Sequence, residues 1–254
     1  MALSLVSINI EGGLHLEKVQ AFIEEAQPDV LCIQELLKSD IPLLEELMGG
    51  KCFYAPMMVL PAGTRIAPKG ETVVMGVGII TRLPRSREVV HYYHRSAEDM
   101  PVFIDGSPEE KRKTQHCVLA VSEVMYEGAL YRIGTTHFTW TPRGNADEYQ
   151  RTDIRALLSL LKKESPVIVC GDFNAPRGGE IFSLLAREYK DNIPVHYKTS
   201  LDISVHRAGE TDGENLSKLM VDGLFTSPEY EARDVSLRLG VSDHAAIVAM
   251  LEKV

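Results

Sequence analysis

The 254-residue sequence predicts an α/β chain of the α+β kind: two packed sheets of mostly antiparallel or mixed strands, with helices outside. Three observations point there. Strand-like apolar runs recur from end to end and outnumber the segments of helical periodicity. Neighbouring runs such as 115–125 and 129–137 are joined by turns as short as "YEGA", which makes antiparallel hairpins. These hairpins are mixed with βαβ-like units, so a single doubly wound parallel sheet fits poorly.

In chain order, the run 2–9 is the first strand, and "LEKVQAFIEEA" then places Leu16, Val19, Phe22, Ile23 and Ala26 on one helical face. A strand over 29–34 precedes a short helix in "IPLLEELM", with Pro42 near its start, and runs 52–58, 73–81, 87–94, 115–125 and 129–137 follow as strands. The longest helical pattern, "ADEYQRTDIRALLSLLKKE", brings Ile154, Leu157, Leu158 and Leu161 together. Strand 166–171, a short helix in "GEIFSLLARE" and strands 219–226, 232–239 and 245–251 complete the chain. Long loops are expected at 60–72, 95–114 and 190–218, where Pro, Gly and charge suit excursions beside a site as well as plain connection. With no internal repeat, low-complexity tract or linker-like shift in composition, residues 1–254 are expected to form one domain.

Composition is ordinary for a globular protein, 44% hydrophobic and 25% charged, so disorder is excluded. No secretory leader pattern follows Met1 and no apolar stretch is long enough for a transmembrane segment. Cys32, Cys52, Cys117 and Cys170 lack CxxC spacing, and two lie in apolar runs, so they read as buried thiols of a reducing compartment; a cytoplasmic monomer is the expectation. The net charge of −9 argues against nonspecific coating of nucleic acid, although local basic groups occur around Arg82, Lys111 and Arg151.

The informative residues are polar ones that end apolar runs. In "VIVCGDFNAP" a buried-looking strand runs into Asp172 and Asn174 before Pro176 breaks it. Gly, Asp, Asn and Pro are turn residues, but strand ends are also where open α/β sheets form ligand crevices. The same exit recurs at Asn9, Glu35, His137, Asp222, Asp243 and His244. Three aspartates, a glutamate, two asparagines and two histidines are the side chains needed to hold a hard divalent cation and manage a proton beside a phosphate. A serine-hydrolase elbow, a zinc-binding HExxH or cysteine knuckle, and a P-loop ending are all absent.

In order and spacing, "SINIEG", "VLCIQE", "GVGIITRLP", "GTTHF", "CGDFNAP", "MVDGLF" and "VSDHAAI" resemble the endonuclease/exonuclease/phosphatase superfamily over nearly the whole chain. The resemblance implies a DNase I-like four-layer α/β sandwich carrying a Mg²⁺- or Mn²⁺-dependent phosphoesterase site at one rim. Carried over by position, it implies Glu35, Asn9 and Asp243 around the metal, with Asn9 also near the phosphate. Asp172 would orient or deprotonate water, Asn174 would hold that water or an oxygen, and Asp222 would orient His244, which meets the phosphate together with His137.

The stretch "HFTWTPRGNADEYQR" is similar to the tyrosyl-DNA phosphodiesterase and sphingomyelinase branches, and the tryptophan-rich segment of exonuclease III-like enzymes is missing before Asp222. Trp140, Arg143 and Arg151 are therefore candidate substrate contacts, weighed against a surface aromatic and helix-start arginines. The expected substrate is a nucleic acid or nucleotide-derived phosphodiester. The alternatives are a phospholipid or phosphoinositide headgroup and a noncatalytic binding module of the same fold.

Overall fold

The computed structural model of the chain describes residues 2–67, 70–95 and 99–254, so the expected loops 60–72 and 95–114 lie partly outside the described residues. Among the described residues, twelve strands form two six-stranded sheets. The first sheet runs Tyr230–Arg238 (β11), Ala246–Lys253 (β12), Leu3–Asn9 (β1), Val30–Leu37 (β2), Val73–Thr81 (β4) and Lys51–Leu60 (β3). The second runs Arg85–His94 (β5), Cys117–Tyr126 (β6), Ala129–His137 (β7), Ile168–Asp172 (β8), Asp222–Thr226 (β10) and Lys190–Asp191 (β9). Both are mixed. Most pairings are antiparallel, and the parallel pairs β1–β2 and β7–β8 each need a crossover, supplied by the helices Leu16–Ala26 (α1) and Glu148–Glu164 (α4).

The period of two along each strand sorts its side chains into layers. Leu3, Leu5, Val30, Cys32 and Ile79 from the first sheet meet Ile133, Ile168, Cys170 and Leu224 from the second in the core between the sheets. Alternate residues face away. Val6, Ile8, Leu31 and Ile33 pack under α1 and the helix Ile41–Met48 (α2), while Leu119, Val121, Val169 and Phe225 pack under α4 and the helix Glu180–Glu188 (α5). The result is four layers, the DNase I-like α/β sandwich. No helix among the described residues is long and apolar enough to cross a membrane.

Four elements depart from the sequence expectation. A short helix, Pro108–Lys113 (α3), forms inside the expected loop 95–114, started by a capping box in which Ser107 and Glu110 satisfy each other's backbone N–H groups. Its "PEEKRK" sequence has no apolar stripe, so periodicity could not find it. The helix Gly209–Leu216 (α6) and the two-residue β9 fall within 190–218; two glycines and a kink at Asp212 hide the first, and brevity hides the second. β2 also runs three residues past its expected end, through a bulge.

Candidate active site

The inter-sheet core turns polar towards one end. On β1 the inward positions Leu3 and Leu5 continue to Ser7 and Asn9; on β8, Ile168 and Cys170 continue to Asp172; on β7, Ile133 continues to Thr135 and His137. Gln34, fully buried, donates from Nε2 to Thr135 Oγ1 at 2.8 Å and ties the two sheets where the apolar packing stops. Beyond that tie lies the candidate site.

Strand register sets its floor. His137 pairs with Asp172 across the parallel β7–β8 ladder, and Asp172 pairs with Asp222 across the antiparallel β8–β10 ladder, so three functional groups stand side by side. The row depends on Gly171. It sits at φ +142°, and a Cβ there would lie 2.0 Å from the carbonyl oxygen of Thr136.

Glu35 arrives differently. Alternation from Val30 and Cys32 puts Gln34 inward and would turn Glu35 towards the helices. Between Ile33 and Leu36 the ladder with β4 slips by one residue, and Glu35 adopts a left-handed φ of +55°. Such a bulge re-aims a side chain at the edge of a site; here the Glu35 carboxylate reaches Asn9, which donates from Nδ2 to Glu35 Oε1 at 3.3 Å and to Asp172 Oδ2 at 3.2 Å. The amide can face only that way, because its Oδ1 accepts the Glu11 backbone N–H at 3.1 Å.

Asp172 is 2% exposed. Its Oδ1 accepts the Asn174 backbone N–H at 2.8 Å in a tight turn where Asn174 takes φ +47°, and Asn174 Nδ2 donates to Phe138 O at 3.0 Å. Gln150, near the start of α4, supports the turn from beneath by donating to Asn174 O at 3.1 Å and Thr139 O at 2.8 Å. Burial raises the pKa of Asp172, and the charge of Asp222 adds to it against the opposing effect of His244 and His137.

His244 stands opposite the row, just before β12. Its Nδ1 lies 2.7 Å from Asp222 Oδ2 and its Nε2 lies 3.9 Å from Asp172 Oδ2. Burial opposes charge on the ring, but Asp222, Asp172 and Asp243 together hold its pKa well above the ordinary histidine value, which favours the protonated ring. His137 Nε2 lies 3.6 Å from Asp172 Oδ2 and 3.9 Å from Glu35 Oε1, while its buried Nδ1 has no partner among the described residues.

Asp243 closes the cluster. Burial drives its carboxyl up to about 7, with Glu11 and Glu35 adding to the shift against His244. Glu11, His15 and Asp243 have candidate ligand atoms within 4.8 Å of one another, as do Asp172, Asp222 and His244. Acidic and histidine groups that could bind a metal are thus present in two adjoining sets. Glu11 also accepts from Arg65 of the 61–67 segment and from His15 Nε2 at 2.9 Å.

The eight strand-end residues therefore meet at one rim. The substrate candidates lie around them. Arg143 is exposed in the turn after β7 at φ +57°, and Trp140 is half-buried with Lys111 Nζ 5.4 Å from its ring centre. Arg151 lies on α4, and its guanidinium is forked on Glu180 at 2.8 and 2.9 Å and bonded to Glu148 at 2.7 Å. The sequence reading missed Glu11, His15 and Arg65. Glu11 was visible two positions after Asn9 in "SINIEG"; Arg65 had no signal beyond its charge. Surface depressions beside Glu45 and Arg82, and beside Glu188 and Tyr230, include none of these residues.

Comparison with solved structures extends this picture. An endonuclease/exonuclease/phosphatase from Beutenbergia cavernae superposes with a TM-score of 0.74 at 18% identity, covering 99% of this chain and 72% of that one. D. rerio TDP2 complexed with a single-strand DNA product gives 0.68 at 16% identity, covering 99% of each chain. The human Nocturnin catalytic domain with a bound sulfate anion gives 0.66 at 18% identity, covering 100% of this chain and 94% of that one. At these identities the likeness shows the fold. No curated protein sequence matches the chain. The sequence profile of the Endonuclease/Exonuclease/phosphatase family, however, matches residues 6–244, from β1 to His244. That span takes in every strand-end residue assembled above, and the chain belongs to the endonuclease/exonuclease/phosphatase family of phosphoric ester hydrolases.

Proposed function

We propose that the chain is a divalent-metal-dependent phosphodiesterase that hydrolyses a nucleic acid or nucleotide-derived ester by in-line attack of water, with residues 1–254 acting as one catalytic domain. The observation that carries this reading is the pairing of His244 Nδ1 with Asp222 Oδ2 at 2.7 Å, with the other ring nitrogen 3.9 Å from the buried Asp172, whose Oδ2 shares the Asn9 amide with Glu35. It places a cationic donor, a proton acceptor and a group of anionic ligands around one space, as phosphoryl transfer to water requires.

The donor set fits a hard cation. Asp243 is raised to about 7 because burial and two neighbouring carboxylates leave negative charge with little to balance it, an imbalance that a divalent ion offsets. Glu35 and Asp243 would hold Mg²⁺ or Mn²⁺, and Asn9 Oδ1, which accepts one N–H from Glu11, keeps a second lone pair for a metal-bound water. Bound there, the ion would neutralise nonbridging oxygens and polarise the phosphorus centre.

The remaining roles belong to the protein. His244 donates its Nε2–H to the phosphate while Asp222 fixes the ring. Asp172, its pKa raised by burial, accepts a proton from water, and Asn174 is held beside it by the turn. His137 donates from Nε2 on the opposite side. Arg143 and Trp140, on the connection that follows His137, are offered as contacts to backbone and base. Arg151 requires release from Glu180 to join them.

The single-strand DNA product held by the structurally similar TDP2 supports the nucleic-acid class. One feature favours a second reading, a phospholipid or phosphoinositide headgroup: Met100, Val102 and Ile104 are exposed at alternate positions of an extended segment whose Val102 bridges to Val59 near the site end of β3.

Release of p-nitrophenol from bis-p-nitrophenyl phosphate with Mg²⁺ or Mn²⁺, abolished by chelator, tests the chemistry; turnover that ignores chelator refutes it. A panel of single-stranded DNA, 5′-tyrosyl DNA, abasic duplex, RNA and sphingomyelin tests the class. Cleavage of sphingomyelin alone would transfer the assignment to the lipid.

A further inference from the structure

Besides His137, His244 and His15, a further histidine stands near this rim, and the roles above leave it unused. His206 lies in the connection between β9 and α6, which Asp202 fastens to the site. The Asp202 backbone N–H donates to Asp243 O at 2.8 Å, its Oδ2 accepts the Gly240 N–H at 2.7 Å, and its neighbour Leu201 bridges to His244. From Asp202 the chain makes one turn, in which the His206 N–H donates to Asp202 O at 2.7 Å and the Gly209 N–H donates to His206 O at 2.8 Å. The turn closes so tightly that a Cβ on Gly209 would lie 1.9 Å from Ile203 O. His206 is therefore held one hydrogen-bonded turn from Asp243.

Its ring is oriented as firmly as its backbone. The Ala208 N–H donates to His206 Nδ1 at 3.1 Å, which makes Nδ1 the acceptor and leaves the proton of the neutral ring on Nε2. Nε2–H has no partner among the described residues. Burial lowers the pKa of this histidine, and the charges of His244, Arg207 and Arg65 lower it further against Glu11, which favours the neutral ring. Arg207 is exposed beside it, and Arg65 reaches Glu11 from the facing segment. Both cations also act on Asp105, which is bonded to Lys111 at 2.7 Å.

A fixed N–H donor whose ring feels the positive charge of two guanidinium groups, Arg207 and Arg65, suits an anion that is not itself reacting. We propose that His206 Nε2–H, with Arg65 and Arg207, is a positioning subsite for the phosphate next to the scissile one, which directs the enzyme to substrates carrying at least two linked phosphates. This inference rests on the nucleotide reading of the active site. The subsite stands on the Asp243 side of the rim, on connections that no strand-end residue belongs to.

The test compares two chromogenic esters, thymidine 5′-(p-nitrophenyl phosphate) and its 3′-phosphorylated form, using the full chain with Mn²⁺. His206→Asn keeps an acceptor where Nδ1 accepts from Ala208 but removes the distal donor; His206→Gln restores an amide N–H near the Nε2 position. The wild type is expected to show a lower KM for the two-phosphate ester. His206→Asn should raise that KM ~10-fold, the size of one lost hydrogen bond to an anion, leave kcat nearly unchanged and leave the one-phosphate ester unaffected. His206→Gln should recover part of the loss. Arg207→Ala, on an exposed side chain, should give the same split and serves if the histidine variants fail to fold. Equal effects on both esters, or none, would overturn the subsite while the nucleotide reading stands. If the wild type cleaves neither ester but hydrolyses sphingomyelin, the nucleotide reading falls and the subsite with it.

Discussion

Glu164→Gln tests whether the helix that carries the site is anchored by charge. At its start α4 supports the Asp172–Asn174 turn through Gln150; at its end Glu164, 3% exposed, is clamped to the second sheet. Arg87 donates to it at 2.6 and 2.9 Å, and His91 Nε2 lies 2.7 Å from Oε1. The Arg87 hydrogen bonds, with a further contribution from His91, pull the carboxyl from 4.5 to about 2 against burial. That difference corresponds to about 3 kcal/mol at neutral pH, and the 40% exposure of the Arg87 side chain lets solvent reduce it to roughly 2 to 3. A depressed carboxyl stabilises the fold above its unfolded pKa and loses that contribution as pH falls through the folded one. The deficit of Glu164→Gln against wild type, measured by urea unfolding, should therefore be full at pH 7 and less than half as large by about pH 3. Turnover at pH 7 well below the melting temperature should stay near wild type, because the substitution lies at the far end of α4. A deficit that is the same at both pH values, or under about 0.5 kcal/mol at pH 7, would refute the electrostatic account.

Three other outcomes are expected. Asp222→Asn removes the charge 2.7 Å from His244 Nδ1 and should lower kcat for bis-p-nitrophenyl phosphate by ~10²-fold or more without changing the unfolding midpoint greatly; a normal rate would make the pair structural. Glu35→Gln replaces a carboxylate by a weaker amide ligand, so both lower activity and a rightward shift of the Mn²⁺ activation curve are predicted, and an unshifted curve would remove Glu35 from the metal. Gly171→Ala drives a Cβ to 2.0 Å from Thr136 O at φ +142°, so a loss of about 3 kcal/mol or more should appear in urea unfolding; a melting temperature within 2 °C or so of wild type would show that the strand row can shift.

What could be read from the sequence follows from which forces are local. Period-two alternation exposed the strands, and it also carried side-chain direction: Asn9, His137 and Asp172 continue the inward parity of the residues before them, so their convergence is written into each run separately. Glu35 breaks that rule, because only the bulge against β4 aims it inward, and a bulge is a property of two paired strands. Ion pairs are nonlocal in the same way. Arg151 looked free for substrate because its partner Glu180 lies 29 positions away on another helix. Glu11 offered a faint signal through its spacing from Asn9, but Arg65 and His206 offered none, since connections obey no period and are placed by single contacts such as Asp202 to Asp243. That division has a physical consequence. His137, Asp172 and Asp222 are spaced by strand register, which a sheet cannot change without moving every neighbour, whereas Arg65, Arg143, His206 and Arg207 hang on connections that can change length and charge while the ladders beneath stay paired. Substitutions in the 61–67 and 192–221 segments should therefore alter KM between substrates more than kcat on any one of them, and substitutions in the His137–Asp172–Asp222 row should do the reverse.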